Sequence, residues 1–147
     1  MLIEQKFTKR PRSLREVSLE VLAGRDYASS MKEFLDEVIL VAKAPDTRYG
    51  FYQIPRSYIE DSPIHLKNKT QIVHLAGLAE NLALLAGLQP PEWTEEAIYF
   101  LKEPIFFGGP NIREHIINET DSAYRRRLLF CGPSLTKLFL MKPRPEA

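Results

Sequence analysis

The residues of this chain that could do covalent or metal chemistry are few and widely spaced. The histidines lack the H-E-x-x-H spacing with which a helix presents two zinc ligands; they are His65, His74 and His115. Cys131 is the only cysteine and lies in an apolar stretch, which is typical of a buried structural thiol. Ser134 lies outside any G-x-S-x-G pattern. We therefore expect no catalytic residue, no metal site and no cofactor, and we expect that the protein is not an enzyme.

Two other motifs that can mark chemistry have ordinary explanations. Gly108-Gly109 lacks the Lys and Ser/Thr of a phosphate-binding loop, so a turn explains it. The adjacent acids Glu95 and Glu96 project about 100° apart on a helix, which favours solvated faces over a catalytic carboxylate pair.

Arg125, Arg126 and Arg127 form the sharpest local charge signal. Three consecutive guanidinium groups on one helical turn cannot all face the same way. At least one can turn inward to pair with an acidic helix, while the others face a carboxylate or phosphate outside. An internal or partner ion pair, a nucleic-acid contact and a solvated turn are all open. Nucleic acid is the weaker alternative, because it would favour a broader basic stripe.

Aromatic residues in the predicted connections form a second set of candidate contacts. Trp93 lies in a connection between helical patterns, and Phe106 and Phe107 precede the Gly-Gly turn. Aromatic rings and Arg side chains are enriched at the energetic centres of protein interfaces. A hydrophobic staple beneath the loop is the alternative for these rings. The candidate partner-binding residues are Trp93, Phe106, Phe107, Arg125, Arg126 and Arg127.

Helical patterns supply the elements that must position these residues. Capping residues followed by apolar residues at helical spacing mark each start, and Gly or Pro marks each stop. The third pattern is apolar on more than one face, so we expect a central helix covered on several sides. The predicted helices lie at 13–23, from Ser30 to before Pro45, from Thr70 to Gly87, from Thr94 to before Pro104, after Asn111, and over 124–130 with Ser122 as the cap.

Residues 44–64 separate the second and third predicted helices. They hold three prolines and four aromatic rings, which are Tyr49, Phe51, Tyr52 and Tyr58. Rings of this size bury much apolar area when they dock on helices, so we predict a long ordered loop. A short strand over 51–54 is the alternative, although the sequence shows no partner strand.

Length and composition favour one soluble globular domain. The chain has 147 residues, of which 44% are hydrophobic and 27% charged, close to the globular average. We predict an all-α fold, a single-domain multi-helix bundle over 1–147 around a central apolar helix, with 1–12 and 142–147 as flexible ends. No apolar run is long enough to span a membrane, no export signal is visible, and cysteine is scarce. We therefore expect no membrane contact and a cytoplasmic location.

The near-zero net charge of +1 hides a division along the chain. Residues 1–25 hold six Lys/Arg and three Asp/Glu, residues 26–120 hold eight and fourteen, and residues 121–147 hold six and two. An acidic middle therefore lies between two basic ends. The basic ends either fold back over the acidic middle or meet a partner, and the sequence leaves both interpretations open.

Four short segments of the chain form a pattern by their order and spacing. They are Glu33-Phe34-Leu35-Asp36-Glu37, Pro91-Glu92-Trp93-Thr94, Tyr99-Phe100-Leu101 with Glu103-Pro104 and Phe106, and Ser122-Ala123-Tyr124-Arg125-Arg126-Arg127 with Phe130. This pattern resembles a family of small helical bacterial proteins, and Ile105 stands where that family has Trp. Members are regarded as the antitoxin-like half of two-gene toxin–antitoxin pairs, encoded beside a protein of nucleotidyltransferase fold.

The resemblance implies a protein that binds and neutralises a cognate toxin of nucleotidyltransferase fold by covering its active cleft. Arg125–Arg127 and Trp93 are then the expected contacts. The chain lacks the Gly-Ser and paired-Asp motif of a nucleotidyltransferase, so it would be the companion of that enzyme. The alternatives are a DNA-binding transcriptional regulator of its own operon and a non-catalytic ligand-binding helical module.

Overall fold

The computed structural model describes residues 9–47 and 50–132. This part of the chain is mainly helical, with five α-helices and one two-stranded sheet. Short 3-10 turns connect them at Arg56–Tyr58, Glu92–Glu95, Ala97–Tyr99 and Pro110–Ile112. The elements are α1 (Leu14–Leu22), α2 (Tyr27–Val41), α3 (Lys69–Leu85), β1 (Ile105–Phe106), α4 (Arg113–Glu119), α5 (Ser122–Arg125) and β2 (Leu129–Phe130). None of the helices in these residues has the length and apolar character needed to cross a membrane.

The two strands correct the expectation that every element would be helical. The sequence pattern predicts a helix over 124–130, but α5 ends at Arg125. Leu128 has a φ of 64°, which takes the backbone out of the right-handed helical region. The chain then continues as β2, which pairs in parallel with β1.

α1 begins at the predicted cap. The Ser13 hydroxyl accepts a hydrogen bond from the Glu16 amide at 3.0 Å, as the capping box requires. The Glu16 carboxylate accepts from the Arg12 amide at 2.9 Å, one residue before the cap. Both bonds satisfy amides at the start of the helix.

α2 begins earlier than the sequence pattern predicts. Asp26 is the cap, and its carboxylate accepts from the Ser29 amide at 3.1 Å. The predicted cap Ser30 is therefore wrong: Ser30 lies inside the helix, fully buried, where its hydroxyl donates to the Glu20 carboxylate at 2.6 Å. The Ser30 hydroxyl, which the local sequence pattern assigned to capping, is thus used in a tertiary contact with α1.

α3 is buried along most of its length. Asn68 caps it by accepting from the Gln71 amide at 3.1 Å, and Gly87, with a φ of 66°, follows its end. The 3-10 turns of 92–99, α5 and β2 all pack against it. Its buried residues are Ile72, Val73, Leu75, Ala76, Gly77, Leu78, Ala79, Glu80, Asn81, Leu82 and Ala83.

The predicted helix from Thr94 is replaced by two 3-10 turns, and Thr94 is not a cap. Its buried hydroxyl donates to the Pro91 carbonyl at 2.6 Å. Glu96 is extended and separates the two turns. Asn111 is likewise not a cap, because it lies within the 3-10 turn that leads directly into α4.

The loop over 44–64 is ordered where it is described, and Tyr49 lies outside the described residues. Tyr52 and Tyr58 are buried, whereas Phe51 is exposed. The alternative of a strand over 51–54 is reduced to one antiparallel bridge between Lys43 and Gln53. The Tyr52 amide donates to the carbonyl of Leu85 at 2.9 Å, which fastens the loop to the end of α3.

Gly77 tests the close packing of α5 on α3. A Cβ at this position would overlap the Tyr124 ring. We expect Gly77→Ala to lower the free energy of unfolding by about 1–3 kcal/mol, although alanine ordinarily strengthens a helix. Gly109→Ala is the control, because nothing lies within 4 Å of its Cβ position. Urea denaturation should show the control unchanged or slightly stabilised, and equal stability of the two variants would contradict the packing.

Candidate functional site

Arg127 is fully buried although it carries a charge. Its Nη1 donates to the Glu80 carboxylate and to the Ala123 carbonyl, each at 2.7 Å. Its Nη2 donates to the carbonyl of Thr94 at 2.8 Å. The guanidinium carbon lies 4.8 Å from the centre of the Phe100 ring. One side chain therefore joins α3, α5 and the 92–95 turn.

Arg126 shares the same carboxylate from the surface side. Its Nε and Nη2 donate to Glu80 Oε1 at 2.9 and 2.7 Å, and Nη2 also pairs with Glu95. Burial acts to raise the pKa of Glu80, but hydrogen bonds from Arg126 and Arg127 outweigh it, so this pKa lies below its ordinary value. Glu80 therefore remains a carboxylate at neutral pH. We call Glu80, Arg126 and Arg127 the shared-carboxylate cluster.

Arg125 differs from its two neighbours. It is exposed, and its side chain makes no ion pair or hydrogen bond with any residue that the structure describes. Within the run of three arginines, two guanidinium groups therefore face an acidic residue of α3 and one faces solvent. Arg125 is the member whose side chain is available to a partner without breaking a contact.

Trp93 lies in the core. It is 7% exposed, and its Nε1 donates to the Ile59 carbonyl at 3.0 Å. Its ring meets the Tyr99 ring edge to face at 5.0 Å between centres. Trp93 therefore packs beneath the connection as a hydrophobic staple would, which is one of the two interpretations that the sequence left open. Its ring offers little area to a partner in this conformation.

Phe106 is the last residue of β1 and Phe107 follows it. The two side chains differ in exposure. The Phe106 ring stacks on the Phe130 ring at 4.8 Å, and the Arg113 guanidinium carbon lies 4.3 Å from the Phe106 centre. Phe107 is 45% exposed, and Ile112 is 47% exposed. We call these five residues the 106–113 surface, counting Phe130 because its ring supports Phe106. It combines exposed apolar area with a cation placed over an aromatic ring.

His74 and Cys131 lie near the side chains of Tyr27 and Tyr124. His74 Nδ1 and the Tyr27 hydroxyl share a hydrogen bond of 2.7 Å, and the imidazole stacks on Tyr124. Burial lowers the pKa of His74 to about 4 and raises the pKa of Cys131 to about 11. Both groups are therefore uncharged at neutral pH. Among the residues described, no group of three or more His, Cys, Asp or Glu side chains could hold a metal ion.

Ion pairs within the chain join the basic end segments to the acidic middle segment. In the first basic segment, Arg10 lies 3.4 Å from Glu33 and Arg12 lies 3.9 Å from Glu37. In the last, Arg126 and Arg127 meet Glu80. The described parts of both basic ends therefore fold back over the acidic middle. The more exposed of the two pairs at α2, Arg10 with Glu33, contributes about 0–1 kcal/mol of stability.

An open depression of about 520 Å³ lies beside α1. It is lined by residues of both charges, Lys9, Arg10, Arg12, Glu16 and Glu37. Its carboxylates already accept hydrogen bonds, from the Arg12 amide to Glu16 and from the Tyr58 hydroxyl to Glu37. The lining therefore holds three cationic and two acidic side chains.

Comparison with protein-family models, curated proteins and solved structures finds no match to this chain. Two of the segments that carry the resemblance, 99–106 and 122–130, lie side by side. The Leu101 amide donates to the Arg127 carbonyl at 3.2 Å, and the Phe107 amide donates to the Phe130 carbonyl at 3.0 Å. Segments about 25 residues apart therefore form one structural unit.

Sequence reasoning did not identify Glu80, the acidic partner of the arginines. A usable signal was present, because Glu80 is the only acidic residue of α3 and lies among apolar residues. Such a charge must be paired when the surrounding face is buried. Phe100, which lies beneath both guanidinium groups, carried no comparable signal.

Substitution of the arginines one at a time should separate their roles. We expect Arg127→Met to lower the free energy of unfolding by about 3 kcal/mol, because it removes a buried ion pair and donors to two buried carbonyls. Arg125→Met is the matched control and should change it by less than about 0.5 kcal/mol. Urea denaturation at pH 7 measures both. Equal losses in the two variants would contradict the burial of Arg127.

His74 should make stability depend on pH above the range in which carboxylates titrate. Its pKa is about 4 when folded and 6.5 when ordinarily exposed, so the unfolded chain binds the proton first as pH falls. Stability should therefore be lost on lowering pH below 6.5, by about 2 kcal/mol between pH 7 and pH 5. His74→Phe should flatten this dependence, and His115→Phe, at an exposed position, should leave it unchanged. Urea midpoints across this range test it, and a wild-type curve without slope would refute it.

Proposed function

We propose that this protein is antitoxin-like and acts by binding and neutralising a partner protein. We take the partner to be a toxin of nucleotidyltransferase fold encoded beside it. The observation that carries the proposal is the 106–113 surface, where Phe107 and Ile112 are each nearly half exposed. Exposed aromatic side chains and Arg are enriched at protein interfaces, and Ile112 adds apolar area beside them.

The packing of the resembling motifs supports the same proposal. Trp93, Tyr124 and Arg127 are buried, so their place in the motifs is explained by the fold. The side chains of Phe107 and Arg125 are exposed, and neither makes a hydrogen bond, ion pair or ring contact with the residues that the structure describes. The buried members therefore form a frame, and the exposed members of the same unit are the ones to which we assign the partner contact.

The proposal also includes the finer expectations about the fold and location. We take 1–147 as one domain, a helical bundle built around α3, that works in the cytoplasm next to its partner. The burial of α3 on most of its faces supports its central place.

Co-purification with the product of the neighbouring gene tests the proposal. We expect the two proteins to elute together, and the double variant Phe107→Ser/Ile112→Ser to weaken the complex by at least about tenfold. Leu19→Ser/Leu22→Ser is the matched control, because these α1 residues are 48% and 51% exposed. Growth of cells that express the neighbour gives the second readout, and the control should protect them as the wild type does.

Two outcomes would contradict the proposal. If the proteins elute apart and the toxicity of the neighbour is unchanged, the protein is not its antitoxin. If the protein instead shifts promoter DNA in a strongly salt-dependent manner, the regulator alternative is favoured. Melting temperatures of all variants identify any loss of binding that arises from unfolding.

A further inference from the structure

Arg126 is held by the buried Glu80 along one edge, and its other edge carries only the exposed contact of Nη2 with Glu95. Its Nε and Nη2 are bound to Glu80, and its guanidinium carbon lies 5.2 Å from the centre of the Phe100 ring. Its Nη1 makes no hydrogen bond or ion pair with the residues that the structure describes, and the side chain is 39% exposed. A guanidinium held in this way loses little further freedom when it binds a planar anion.

The positive charge of Arg126 and Arg127 that Glu80 leaves unbalanced is met by an exposed contact with Glu95. Arg126 and Arg127 share Glu80, whose side chain is 10% exposed, so this inner group carries one surplus positive charge. Glu95 supplies the remaining negative charge from the end of the 92–95 turn, and its side chain is 57% exposed. Among the described residues, Glu95 has no other hydrogen bond or ion pair. An exposed pair of this kind contributes about 0–1 kcal/mol, so another carboxylate can displace it.

We propose that Arg126 is a binding site for one carboxylate of an acidic side chain on a partner protein, and that Glu95 occupies this site in the unbound chain. The incoming carboxylate accepts hydrogen bonds from Nη1 and Nη2, and Glu95 turns out to solvent. Glu92 and Glu96 are exposed on the same segment, and they disfavour an extended polyanion such as nucleic acid. The identity of the partner rests on the proposed function, but the site itself does not.

Titration with acetate, monitored by NMR of the arginine Nε–Hε signals, tests the site without a partner. We expect Glu95→Ala to lower the acetate dissociation constant at Arg126 by about two- to fivefold, the loss of one exposed competing pair. Glu92→Ala is the matched control, since it removes an exposed acid of the same turn. Arg126→Gln should abolish the response and retain the fold, because Arg127 still pairs with Glu80.

Three results would overturn the assignment of Arg126 as a carboxylate-binding site. In the first, the Arg126 signal of Glu95→Ala does not respond to acetate. In the second, Glu92→Ala gains as much affinity for acetate as Glu95→Ala does. In the third, inorganic phosphate binds more than about tenfold tighter than acetate. The last would assign the site to a phosphate group.

Binding of the neighbour's product separates this inference from the proposed function. We expect Glu95→Ala to tighten the complex and Arg126→Gln to weaken it. Equal binding by both variants would overturn the assignment to a partner carboxylate. If the neighbour fails to bind even the wild type while the acetate response is seen, the proposed function is wrong and the site stands.

Discussion

The need to pair the buried carboxylate of Glu80 determines how α5 and the 92–95 turn pack on α3. This carboxylate lies in the buried part of α3, where an unpaired charge would cost several kcal/mol. Arg126 and Arg127 arrive from a segment 46 and 47 residues further along the chain and supply the compensating charge. Arg127 also binds the Thr94 carbonyl. One acidic residue thereby fixes the positions of α5 and the 92–95 turn on α3.

This ion pair also accounts for the path of the chain after α5. Arg127 turns into the core, and the next residue, Leu128, takes a left-handed conformation that costs a side-chain-bearing residue about 1–2 kcal/mol. The hydrogen bonds of Arg127 offset that cost. Beyond Leu128 the chain is extended and pairs with β1, which brings the Phe130 ring onto Phe106. The same short segment, from Arg127 to Phe130, therefore supplies both the buried ion pair and a ring of the exposed aromatic surface.

How much the sequence could predict depends on the range of the interactions involved. α1 and α3 begin and end within one or two residues of their predicted bounds, because caps, glycine stops and apolar spacing are local. The helix over 124–130 could not be corrected locally, since a contact with Glu80 redirects it. Trp93 was left open for a different reason: the same ring suits a core and an interface, and only tertiary packing against Ile59 and Tyr99 decides between them.

The division between inward and outward side chains limits which residues can reveal a function. Trp93, Tyr124 and Arg127 are buried, so a substitution there weakens any activity of the protein by weakening the fold. A loss of partner binding in such a variant would therefore carry no information about contact. Phe107, Arg125 and Arg126 are different, because their side chains are at least partly exposed and can be changed while Glu80 retains its pairing with Arg127. Substitutions at these exposed residues can therefore report on partner contact, although the buried residues make the more recognisable pattern in the sequence.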